Sequence, residues 1–300
     1  MTAARPPERR SLDYTAATAD LPGGPGRIDV IVPVHGAAPE FDACLRSVVR
    51  HTDWNEHALV VVLDGAGQDD AKDSLRRHGG AVPVTVIENP QCEGYVASVN
   101  IAMRASAHDV LLLNSDTVVT AGWMEQLRRA AYSAPGIATA TPLSNSAAHC
   151  SISCPFRDET YTDAAIAGIA DLVRGCSHRI YPRIPSGIGF CHLIKRAALD
   201  ALGFYDEAFA PGYGEEADFC VRALKAGYVH VADDATFVFH RGSRSFGSST
   251  SALRRAAMEK LSQRHPEFIP TMAAFFRTDP LKEVRSRVAA AFAERPEPLP

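Results

Sequence analysis

Four times between residues 28 and 131, a short apolar run ends in a polar turn and gives way to apolar residues spaced three and four apart. Ile28-Asp29-Val30-Ile31-Val32-Pro33-Val34 precedes Phe41, Cys44, Leu45, Val48 and Val49, which share one face of a helix. The run 59–63 precedes a polar helix over 69–78, and the run 82–87 precedes a helix through Val96, Val99 and Met103. Val110 to Leu113 precedes a helix through Trp123, Leu127 and Ala131. Strands apolar on both faces need helices on both sides of a sheet. The expected fold class is therefore α/β, a Rossmann-like, mostly parallel, doubly wound sheet flanked by helices. Such sheets gather ligands beyond the carboxyl ends of their strands. That directs attention to Val34-His35-Gly36, Asp64-Gly65, Glu88-Asn89-Pro90 and Asn114-Ser115-Asp116.

Outside this region the pattern differs. Residues 1–26, rich in Pro, Gly, Arg and Ala, read as a mobile leader. Past Pro142 the periodicity weakens through Pro185, an excursion expected to cover part of the sheet edge. Order returns with an apolar run 188–194, a short helix 196–202, a loop 203–214, a helix 215–226, and strands 228–231 and 236–239. Residues 251–300 read as a helical C-terminal extension broken at Pro266, Pro270 and Pro280. The organisation expected is a leader 1–26, a main unit 27–250 with halves 27–142 and 143–250, and that extension.

Charge narrows the partners. Lys and Arg number 31 against 35 Asp and Glu, a formal net charge of −4, so no global basic field exists to hold nucleic acid. No signal peptide and no membrane span is read, and seven scattered cysteines suit reduced thiols. The expected location is the cytoplasm, either free or peripheral at the inner membrane face.

Three constellations carry chemistry. Asp116, directly after the strand 110–113, can hold a divalent cation through hard oxygen or can cap the next helix, and the tetrapeptide leaves both open. Glu215, Glu216 and Asp218 crowd the start of a helix, where acids are favoured by the helix dipole alone. The preceding Pro211-Gly212-Tyr213-Gly214 turn would nevertheless let Glu215 or Glu216 face a cleft and act as general base. Phe237-Val238-Phe239 ends in His240 with Arg241 and Arg244, a pattern suited to phosphate as well as to an ordinary surface.

In this order the pieces resemble the inverting glycosyltransferase family 2, of GT-A fold, from Ile28 to Phe246. Ile31-Val32-Pro33-Val34-His35 is similar to the family's opening strand, and Val61-Val62-Leu63-Asp64-Gly65 to the strand whose Asp meets the nucleotide base. Glu88-Asn89-Pro90-Gln91-Cys92-Glu93-Gly94 with Asn100 is similar to its N-x-G stretch, and Asn114-Ser115-Asp116-Thr117 to its metal-binding D-x-D. Tyr213-Gly214-Glu215-Glu216-Ala217-Asp218 is similar to Y-G-E-D-x-D, which places the family's base on Glu216, and the closing His, a metal ligand in relatives, falls on His240.

The resemblance implies an inverting transfer from a nucleotide sugar, with UDP-sugars expected first. The acceptor hydroxyl would belong to a carbohydrate, lipid-linked glycan, small molecule or peptide. Mn2+ or Mg2+ would sit on Asp116 and His240, and the donor would be met by Pro33, Val34, His35, Asp64, Asn89, Gly94, Asn100, Ser115, Asp116, Arg241 and Arg244. Leu63, Asn114 and Glu216 replace the more usual Asp. Leu63 and Asn114 keep open an inactive nucleotide-sugar binder of this fold, against which Asp116, Glu216 and His240 argue, and the α/β core and metal would be shared by a sugar nucleotidyltransferase.

Overall fold

The computed structural model describes residues 11–36, 38–154, 161–242 and 250–294. Its first half is built as the periodicity predicts. β1 (Ile28–Val34), α1 (Ala38–His51), β2 (Ala58–Asp64), α2 (Asp69–His78), β3 (Val84–Asn89), α3 (Tyr95–Ala105) and β4 (Asp109–Leu113) alternate along the chain. β5 (Thr117–Val118), α4 (Trp123–Ala131) and β6 (Ile137–Leu143) follow. Then come α5 (Asp163–Cys176), β7 (Arg183–Ile184), β8 (Cys191–Ile194), α6 (Arg196–Leu202) and α7 (Glu215–Lys225). β9 (Val229–Phe237), β10 (Phe239–His240), α8 (Thr250–Arg264), α9 (Phe268–Thr278) and α10 (Lys282–Ala293) complete the chain.

An eight-stranded sheet runs in the order β3-β2-β1-β4-β8-β6-β9-β7. β3, β2, β1 and β4 are mutually parallel, as their apolar runs demand. β8 lies antiparallel between β4 and β6, so the second half is mixed. Phe41, Cys44, Leu45 and Val48 of α1 fill one face of the sheet, and Val96, Val99 and Met103 of α3 fill the other. β10 pairs with β5 in a separate two-stranded ribbon, with His240 opposite Thr117. That ribbon draws the end of the long β9 strand back to the Asp116 turn.

Three expectations are corrected and one, the excursion, is filled in. The strands read at 228–231 and 236–239 are one nine-residue strand, β9, followed by the short β10. Its centre, Asp233-Asp234, interrupts the apolar pattern, yet both acids are fully buried. Asp233 accepts from Thr236 Oγ1 and Ala235 N, and Asp234 from Ser177 Oγ and Tyr181 N. Pro270 does not break the C-terminal helices. It lies in the first turn of α9, where no intrahelical N–H is needed. The excursion after Pro142 contains α5, which packs on β9, as well as the edge strand β7. Finally, the described part of the leader is tied to the body: Leu12 N donates to Thr271 Oγ1, Thr18 N to Gly227 O, and Tyr14 and Leu21 are buried. Among the described residues, no helix is long and apolar enough to cross a membrane.

Candidate functional site

A cleft of about 610 Å³ opens beyond the carboxyl end of β4. Asn114 and Asp116 from the β4–β5 turn, Glu215 and Glu216 from the start of α7, and His240 from β10 all line it. These side chains lie up to 126 residues apart in sequence. They meet because β4 ends beside β8, and the β5–β10 ribbon carries His240 onto Asp116.

His240 Nε2 lies 3.3 Å from Asp116 Oδ1 and 3.5 Å from Asn114 Nδ2. The ring stacks on Phe190 at 5.1 Å, and its Nδ1–H donates to Ser146 O at 2.6 Å. That bond keeps a proton on Nδ1, so the nitrogen that gains or gives up a proton is Nε2, facing Asp116. Asn145 grips the same residue from both sides of its main chain, accepting from His240 N and donating to His240 O. Burial disfavours the imidazolium, but the Asp116 carboxylate outweighs it and holds the His240 pKa above its ordinary value. One imidazole nitrogen and one buried carboxylate oxygen converging on open cleft are a donor set suited to Mn2+ or Mg2+, which would take the place of that proton.

On the other wall, Gly214 at φ 89° caps α7 and presents Glu215 and Glu216 at the helix start. A side chain at Gly214 would meet the Phe209 ring at 3.2 Å, so the turn requires glycine both for its dihedral angle and for space. Glu215 is 4% exposed, and the Oε2 atoms of both glutamates are buried without a hydrogen-bond partner. Burial, with the neighbouring Glu216 charge, raises the Glu215 pKa well above the carboxylate range, and burial raises that of Glu216. Both carboxyls are thus biased toward the neutral form, and whichever of them ionises is a stronger base than an exposed glutamate.

A second group lies at the ends of β1, β2 and β3. Asp64, 3% exposed, accepts from Asn89 Nδ2 at 3.0 Å and from the Glu93 and Gly94 amides at 2.9 Å each. Burial works against its charge, and these donors outweigh it, so its pKa is lowered. Gly94, at φ 84°, packs on Pro211, and its hypothetical Cβ would lie 3.0 Å from the proline ring. Pro33 is half-buried at the end of β1, His35 is exposed, and Ser115 is half-buried beside Asp116.

The Asp64 network gives a stability prediction. Asp64→Ala leaves two buried N–H donors, Asn89 Nδ2 and Gly94 N, without the carboxylate, at about 1–3 kcal/mol each before relaxation, so a loss of about 2 kcal/mol or more is expected in denaturant unfolding near neutral pH. Because the folded pKa is depressed, the difference from wild type is fully present above the ordinary carboxylate pKa. It shrinks as pH falls through the lowered folded value. A pH-independent difference would mean that the carboxylate charge is not what holds the turn.

Three sequence assignments are not as expected. Asn100 is fully buried, donating to Tyr205 O and accepting from Tyr205 N, which makes it a clamp between α3 and the loop after α6 rather than a ligand contact. The Val34 side chain is fully buried in the core, so only its main chain faces the strand end. Arg241 is exposed and joins the Asp116 turn through its amide, which donates to Asp116 O, whereas Arg244 lies outside the described residues. Conversely, the spacing did not reveal Tyr95, whose hydroxyl donates to Gly189 O on the floor of the cleft. Nor did it reveal Phe190, Asn145 and Ser146 around His240, or Met258, Leu261 and Met272 of α8 and α9 along the rim. The Ser-Asn-Ser stretch at 144–146 was the one available cue, a polar cluster directly after an apolar strand.

The family model described as Glycosyl transferase family 2 matches residues 29–203. "Uncharacterized protein y4gI" of Sinorhizobium fredii is 23% identical over 256 residues, 78% of this chain; the chain spans 26% of that curated relative's length. Among solved structures, the mannosyltransferase PcManGT from Pyrobaculum calidifontis, in complex with GDP-Man and Mn2+, superposes with a TM-score of 0.58 at 19% identity, covering 96% of this chain and 80% of that one. GalNAc-T7 with UDP, GalNAc and Mn2+ also gives 0.58, at 17% identity, covering 81% and 48%.

Proposed function

The chain belongs to glycosyl transferase family 2, and we propose that it moves a sugar from a nucleotide-sugar donor to an acceptor hydroxyl in one displacement that inverts the anomeric carbon. The observation that carries this reading is a basic glutamate with an unpartnered Oε2, Glu216, lining the same cleft as Asp116 and His240. Glu216 takes the proton from the attacking hydroxyl as the new C–O bond forms, a contribution of about 10²–10⁴-fold for a placed base. Glu215 lies buried beside it, where burial and the Glu216 charge both oppose its ionisation.

Asp116 and His240 hold Mn2+ or Mg2+, and Asn114 turns its amide toward the same point. A cation bound there supplies positive charge against the diphosphate that leaves. Pro33, His35, Asp64, Asn89 and Gly94 receive the nucleoside at the strand ends, with Asp64 pre-oriented by its three donors. A UDP-sugar is the first expectation for the donor; the solved relatives hold GDP-Man in one case and UDP with GalNAc in the other. The acceptor enters past Tyr213 and the α8–α9 rim.

The test is release of nucleoside diphosphate from a panel of UDP- and GDP-sugars with Mn2+, with and without added acceptors. Release from at least one donor is expected, and it should fall by about 10²–10⁴-fold in Glu216→Gln. Binding without release would identify an inactive binder, and pyrophosphate made from a nucleoside triphosphate would identify a nucleotidyltransferase.

A further inference from the structure

Away from the acidic cleft, three metal-ligating side chains meet where β1, β2 and β3 end. Cys92 Sγ lies 3.4 Å from Asp64 Oδ2 and 3.7 Å from His35 Nδ1, and the three ligand atoms are all within 4.8 Å of one another. A tetrahedral zinc ion with bonds of about 2.3 Å to sulfur and about 2.0–2.1 Å to nitrogen or oxygen sets its ligand atoms about 3.5 Å apart. Both sulfur contacts already stand at that spacing.

The surroundings fix the trio. A side chain at Gly65 would come within 3.4 Å of the Cys92 Cβ and amide, so the Cys92 turn lies directly on the β2 terminus. Asn89 and the amides of Glu93 and Gly94 hold the Asp64 carboxylate from behind, as outer partners of a metal ligand do. His35 Nδ1 now meets Asp64 O at 2.9 Å, but that carbonyl has a second donor in Gln68 Nε2 at 3.1 Å and stays satisfied if the ring turns its lone pair elsewhere. His35 and Cys92 are exposed, which leaves an entry path.

We infer that His35 Nδ1, Asp64 Oδ2 and Cys92 Sγ form a binding site for a thiophilic divalent cation, Zn2+, separate from Asp116 and His240, and that its occupation excludes the nucleoside. Capture releases one proton, from the Cys92 thiol, and the single imidazole proton of His35 moves from Nδ1 to Nε2 through solvent. Thiolate and carboxylate then balance the ion's charge, and water fills the fourth position. The exclusion rests on the nucleoside assignment made under Proposed function; the site itself does not.

The experiment uses the full reduced chain and Co2+ as a spectroscopic stand-in for Zn2+. One equivalent of Co2+ should give cobalt–thiolate charge-transfer absorption, abolished by equimolar Zn2+. Cys92→Ser should lose the band, and His35→Ala should weaken Zn2+ binding, read with a chromophoric chelator, on the order of 100-fold. Asp116→Asn should retain the band. Uridine or guanosine, which lack the phosphates that chelate metal, should weaken Zn2+ binding by the factor by which Zn2+ weakens theirs. A band unchanged in Cys92→Ser, or Zn2+ lost only with Asp116→Asn, would overturn the site; simultaneous, independent binding of nucleoside and Zn2+ would overturn the exclusion. Absence of sugar transfer would bear on the proposed function alone, because the absorption is read without donor.

Discussion

Glu216→Gln should lower sugar transfer by about 10²–10⁴-fold while leaving nucleoside diphosphate affinity essentially unchanged. The amide keeps the shape of the side chain and loses only the basic oxygen, so an effect confined to kcat separates a proton acceptor from a donor contact. Burial raises the Glu216 pKa, which fixes the pH dependence. The base works deprotonated, so kcat/KM should climb with pH through a limb above the ordinary carboxylate range, and Glu216→Gln should lack that limb. Glu215→Gln is the internal control. Its own burial and its neighbour's charge both oppose ionisation of Glu215, and glutamine reproduces a neutral, hydrogen-bonding side chain. Turnover near wild type is expected there. The reverse pattern, with Glu215→Gln inactive and Glu216→Gln active, would move the base by one residue.

The contrast between the two halves of the chain shows what a sequence can reveal. Val30, Ile31 and Val32 are each at most 2% exposed, because helices cover both faces of a parallel sheet, and that burial wrote the continuous β-branched run from which β1 was read. β6 carries no such run. Ile137-Ala138-Thr139-Ala140-Thr141-Pro142-Leu143 is equally buried, but its threonines are satisfied by partners no local pattern discloses: Thr139 Oγ1 meets His230 Nδ1, and Thr141 Oγ1 accepts from Ile188 N. Asp233 and Asp234 broke β9 in two for the same reason. At the site, the order of Asp116, Glu216 and His240 was legible from motif resemblance, and the three do line one cleft. Asn100 fitted its motif spacing equally well and proved to be a clamp, since spacing records which residue recurs and not which way its amide faces. Tyr95 and Asn145 are set by long-range packing, and neither carries a local signature.

Asp116→Asn should abolish the gain in nucleotide affinity that Mn2+ brings, lowering Mn2+-dependent affinity by more than the roughly 10–100-fold that loss of a ligand's outer partner typically costs. Asn preserves volume and a carbonyl oxygen, so the turn should stay folded, with Arg241 N still donating to the Asp116 main-chain oxygen. What disappears is the charge that a hard divalent cation requires. His240→Ala removes the nitrogen ligand, and its effect should fall in the same range. In wild type, a nucleoside diphosphate at 100 times its Kd stabilises the fold by about 2.7 kcal/mol. The melting shift with Mn2+ should exceed the shift with chelator, and the two should coincide in Asp116→Asn. Asn145→Ala separates coordination from orientation. It leaves both ligands in place but releases the main-chain grip on His240, so affinity should fall less than in Asp116→Asn and recover at higher Mn2+. A full Mn2+-dependent shift surviving in Asp116→Asn would show that the cation is held elsewhere, and the leaving diphosphate would then have to be stabilised by groups other than this pair.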